Sequence, residues 1–145
     1  MKKVLLVLTL TVGTLVSKAQ LKSVTPITVK GMAKRGPYKV AAIYQSDSTS
    51  YSLTYWDKSY TTIEVYNDIK FKGNDEMIET LYQMFKNQID AEKGTENIFQ
   101  LGSQVLKLKT GKFFGAKIID VWVEEPLHVG HFELTTQEIN KLFNK

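Results

Sequence analysis

Two histidines, His128 and His131, are the only imidazoles in this 145-residue chain. They stand three apart among Glu124, Glu125 and Glu133. A His-x-x-His pair beside carboxylates is the raw material of a His/Glu metal site. The spacing works against it. On a strand, residues three apart point to opposite faces. On a helix they would share one, but Pro126 and Gly130 disfavour a helix there. His128 and His131 converge only if Val129-Gly130 forms a turn or bulge. They are therefore read as separate side chains and no metal site is expected, His128 and His131 being only the weak candidates for one. No cofactor is implied.

Other chemistries fail on residue type. There is no Cys, so disulfides, thiolate metal sites and a cysteine nucleophile are excluded. Gly-x-Ser-x-Gly and HExxH are absent, and Ser103 has no nearby base in the sequence. Counted from Asp68 as a calcium loop, Gly73 and Glu79 fall correctly, but Lys70 and Lys72 stand where oxygen ligands are required. Gly31 and Gly36 have P-loop spacing, but Pro37-Tyr38 replaces Lys-Ser/Thr. Lys30, Lys34, Arg35 and Lys39 remain as a local cationic group. No catalytic chemistry is evident. An exported hydrolase that assembles carboxylates or histidines in space is the alternative, and a structural or assembly subunit is a third class.

Aromatic residues carry the functional reading. Six of the nine Tyr and Trp residues fall between Tyr44 and Tyr66, interleaved with Ser, Thr, Asp and Lys. Tyr and Trp offer rigid contact area with a polar handle, which suits recognition of a protein or glycan partner. Tyr51, Tyr55, Trp56, Tyr60 and Tyr66 are the candidate binding residues. The competing structural reading is that they stabilise a hairpin by cross-strand pairing.

The elements that would position these residues follow from periodicity. Tyr38–Tyr44 and Tyr51–Trp56 read as strands. In the second, Tyr51, Leu53 and Tyr55 share one face and Ser52, Thr54 and Trp56 the other. Thr61–Lys72 alternates as one long strand, with a break at Asn67. Gly73-Asn74 then switches to helical spacing, and Met77, Ile78, Leu81, Phe85 and Ile89 form the apolar stripe. Strands follow at Ile98–Leu101, Gln104–Thr110 and Ala116–Glu124, with a turn at Gly111-Lys112. Thr135 and Glu138 make a capping box for a short C-terminal helix, with Leu134 and Ile139 as its hydrophobic staple. The fold class is α+β: one curled antiparallel sheet of about five to seven strands, a long helix on one face and a short C-terminal helix.

The start of the chain speaks to location. Lys2 and Lys3 precede the uncharged run Val4–Val16, and Ser17-Lys18-Ala19 supplies small residues for cleavage before Gln20. This resembles the leaders of Gram-negative bacterial exports. As a helix the run spans roughly 20 Å, short of the ~30 Å hydrocarbon core. Residues 1–19 are thus expected to be a cleaved signal peptide and 20–145 a single domain, periplasmic or secreted. The full chain carries 19 basic and 15 acidic residues. Removing Lys2, Lys3 and Lys18 leaves 16 against 15. That near-neutral balance argues against nucleic acid as a partner, and no membrane association is expected after cleavage.

Overall fold

The computed structural model describes residues 26–145. The leader at 1–19, and with it the cleavage and export expectations, lies outside them. Eight strands and two helices follow in order: β1 (Thr28–Arg35), β2 (Tyr38–Gln45), β3 (Ser50–Trp56), β4 (Tyr66–Lys72), α1 (Asp75–Asp90), β5 (Glu96–Leu101), β6 (Gln104–Phe113), β7 (Ala116–Glu125), β8 (His128–Thr135) and α2 (Thr136–Leu142). The α+β class holds. The single curled sheet does not: there are two four-stranded antiparallel meanders, β1-β2-β3-β4 and β5-β6-β7-β8. The division falls at α1, which separates β4 from β5 in the chain.

Local chemistry sets the helices. Asn74 caps α1, its side chain accepting from the Met77 N–H at 2.9 Å. Asp75 and Glu76 occupy the first turn, where the helix dipole favours acids. Leu81, Phe85 and Ile89, four apart, form the buried stripe. Thr135 caps α2 in the expected box, its hydroxyl accepting from the Glu138 N–H while the Glu138 carboxylate accepts from the Thr135 N–H at 2.8 Å. Leu134 and Ile139 are both fully buried.

One apolar core joins the sheets. Ile43, Leu53, Tyr55 and Ile69 come from the first, Leu106, Leu108, Val121, Val123, Phe132 and Leu134 from the second, and both helices add to it. Two irregularities shape the first sheet. Val40 is skipped between the pairs Ala33↔Ala41 and Lys34↔Lys39. This bulge lets Val40 and its neighbour Ala41 both enter the core. Gly31 sits where a Cβ would come within 2.1 Å of the Leu142 carbonyl oxygen, so only glycine lets α2 lie so close to β1.

Some expected boundaries move. The strand expected over Thr61–Lys72 begins only at Tyr66, and Ile63 is exposed in the preceding loop. Apparent alternation there is overridden by a side-chain turn at Asp57. Gly111-Lys112 lies inside β6, and the reversal occurs two residues later, at Phe114-Gly115.

Candidate functional site

The seam between the sheets is built on Asp57, which is fully buried. Its Oδ1 accepts from the Ser59 N–H at 2.9 Å and the His131 N–H at 3.0 Å. Its Oδ2 accepts from Asn67 Nδ2 at 2.8 Å and lies 2.6 Å from His128 Nε2. A carboxylate only accepts, so Nε2 carries the proton. Burial pushes the Asp57 carboxyl up, but the hydrogen bonds from His128, Ser59 and His131 outweigh it and leave it below the usual range. The next residue, Lys58, donates its N–H to the His131 carbonyl at 2.7 Å. The chain leaving β3 therefore lies along the edge of β8, with one carboxylate oxygen standing in for a backbone acceptor. Beneath it, Tyr55 stacks on Phe132 with centroids 4.7 Å apart. Its hydroxyl lies where a Cβ on residue 130 would be, so Gly130 is the only residue that fits over it. That hydroxyl makes no hydrogen bond among the described residues, and burial pushes it well above the ordinary tyrosine value.

An Asp–His pair resembles half of a hydrolytic triad, but this one lacks its nucleophile. The nearby Ser59 hydroxyl donates to the Val129 carbonyl at 3.3 Å. Tyr60 lies against the His128 ring, with centroids 5.8 Å apart. Asp57, with four partners, acts here as a clamp between segments over 70 residues apart.

His131 points elsewhere. Its ring stacks on Trp122 at 4.2 Å, and its Nε2 lies 3.6 Å from Asp120 Oδ1. Asp120 and Glu133 face each other across β7 and β8. Ligating atoms of Asp120, His131 and Glu133 lie within 4.8 Å of one another. This is the set that could approach a divalent cation, and His128 is not part of it: the two histidines do not converge. The Lys58 ammonium already sits 2.5 Å from Glu133 Oε2, with Arg35 3.8 Å from the same oxygen. Arg35 in turn forks onto Glu138 with two contacts of 2.8 Å. The Glu133 carboxylate thus belongs to a paired network, with protein cations where a metal would draw its charge. Of the other cations in the expected cationic group, Lys30 pairs with Asp75 at 3.1 Å and Lys39 lies over the Tyr66 ring at 4.5 Å.

The candidate binding residues divide between the two faces of the first sheet. Tyr51 and Tyr55, 3% and 0% exposed, face the core. Trp56 and Tyr66 are cross-strand partners on the outer face, and Tyr60 is exposed in the loop beside His128. The outer face also gains Tyr38, which stacks on Trp56 at 5.5 Å. Beyond these rings the same face carries Ser50, Ser52 and Thr54 opposite Lys72, Lys70 and Asp68. A cleft of about 650 Å³ opens there, lined by Ile27, Ser50, Ser52, Asp68, Lys70 and Lys72 among others.

Asp57 was legible only as a turn residue, because its partners at 128 and 131 are remote in the chain. Comparisons with protein-family models, with curated proteins and with solved structures return no match, so the site is read from its own geometry.

Proposed function

We propose that this is a small exported binding protein that takes a glycan on the outer face of its first sheet. The observation that supports this reading is the register that sets Trp56, Tyr66 and the stacked Tyr38 on the same sheet face as the serine-lined cleft bearing Asp68 and Lys70. Flat rings stack on the apolar faces of sugars, and short hydroxyls and charged groups hydrogen-bond their edges. Lys39 over the Tyr66 ring holds that side chain in place. Hydrolysis is the weaker reading, since the buried Asp57 carboxylate is saturated and no hydroxyl engages His128 among the described residues.

The test is titration calorimetry of the wild type and each variant with a panel of oligosaccharides. Tyr66→Ala and Trp56→Ala are expected to keep the fold and weaken binding roughly tenfold or more, the scale of a lost aromatic anchor. Saturable binding unaffected by either variant, or no binding across the panel, refutes the assignment.

A further inference from the structure

The β6–β7 hairpin ends in a two-residue turn, Phe114-Gly115, between the paired residues Phe113 and Ala116. Both turn residues have positive φ, 46° and 82°. This geometry favours Asn-Gly or Gly-Gly, and a bulky side chain is strained in it. Phe114 is also 96% exposed and Phe113 52% exposed, their rings 4.5 Å apart edge-on. Just behind them Lys112 and Lys117 are direct cross-strand partners, a like-charge pairing that weakens a hairpin. No acid occurs between Thr110 and Ile119.

Three choices that each cost stability thus coincide at one turn: a ring at a left-handed position, two rings in water, and two lysines face to face. Local rules broken together without internal compensation mark a functional site. At the opposite end of the sheet, Leu127 is also exposed, but Glu124 and Glu125 precede it and no positive φ occurs there.

We propose that the Lys112–Lys117 tip is a contact for an anionic lipid surface. Phe113 and Phe114 enter the boundary between headgroups and acyl chains, and the two lysines meet the lipid phosphates. An anionic bilayer answers two of these anomalies at once, burying the rings and neutralising the like charges, while the left-handed turn holds the Phe114 ring out at the tip. The contact is peripheral, made by the hairpin tip alone, and no described helix is long and apolar enough to span a membrane. It departs from the expectation of no membrane association for the mature chain.

The experiment is co-sedimentation of residues 20–145, which hold the whole described core, with phosphatidylglycerol-rich vesicles and with phosphatidylcholine vesicles. Binding is expected to the anionic vesicles and to fall with added salt. Phe114→Asn should reduce the bound partition at least about tenfold, the factor that accompanies burial of one phenylalanine ring. Its melting temperature should rise, because asparagine suits the turn. Lys112→Glu should also weaken binding, while its new pairing with Lys117 leaves the fold at least as stable. Wild-type protein that ignores anionic vesicles, or binds phosphatidylcholine equally well, overturns the proposal. So does Phe114→Asn protein that binds undiminished. Dimerisation abolished by Phe114→Asn, with no vesicle binding, would assign the tip to self-association and likewise overturn it.

Discussion

Replacing Asp57 with alanine tests the clamp most directly. The substitution leaves three donors facing the vacated space: the Ser59 and His131 backbone N–H groups and Asn67 Nδ2. His128 is partly exposed and can turn to water. An unsatisfied buried donor costs about 1–3 kcal/mol. A polar cavity with several partners can admit a water, which favours the low end of that range. The loss is then roughly 3–5 kcal/mol, a large share of the ~5–15 kcal/mol that holds a domain together. For a domain of this size the melting temperature should fall by about 10–20 °C. Asp57→Asn separates hydrogen bonding from charge. Its carbonyl oxygen can still serve both backbone donors, Asn67 can reverse its amide and His128 can present its other tautomer. The asparagine variant should therefore lose well under half as much as alanine. Thermal melts and urea titrations with a common m-value decide it. A fall of less than about 4 °C for alanine, or asparagine as damaging as alanine, would refute the reasoning.

Two further predictions concern the packing of α2. Gly31→Ala drives a methyl into the Leu142 carbonyl, with Lys141 also close behind. Its urea midpoint should fall by the equivalent of about 1–3 kcal/mol, the cost of overpacking, and an unchanged midpoint would show that α2 yields freely. Glu138 supplies a pH signature. Burial raises its carboxyl, but Arg35 and Thr135 more than offset this and hold it below its ordinary 4.5. The unfolded chain then binds more protons than the folded one as pH drops past that value. Stability from this group is complete above the unfolded value and is lost as pH falls through the folded one. The stability gap between wild type and Glu138→Gln should therefore shrink in acid, and a gap that is constant with pH would rule out the linkage.

What could be foreseen depended on how local its cause was. The capping box of Thr135 and Glu138 joins residues three apart, and it is found as expected. The two faces of β3 were legible as well, but not which one turns inward: Tyr51 and Tyr55, expected among the binding residues, go into the core with Leu53. The false extension of β4 through Ile63 shows the limit of periodicity. Alternation persists there, but Asp57 binds the Ser59 N–H and the Asp57 N–H donates to the Val65 carbonyl, closing a loop instead. The meeting of Asp57 with β8 depends on contacts more than 70 residues apart. No spacing rule reports those.

Every strand pairs only with its neighbour in the chain, in two runs of four separated by α1. Ladders of this kind close short loops, which lowers contact order and favours rapid formation. Long-range bonds dock the first meander on β8 and α2, through Asp57 with β8 and Arg35 with Glu138. The seam that supplies much of the tertiary specificity is thus the natural late step of assembly. Mutations there should act mainly by hastening unfolding rather than slowing folding, and kinetic resistance to opening, more than the pairing of any strand, is what Asp57 governs.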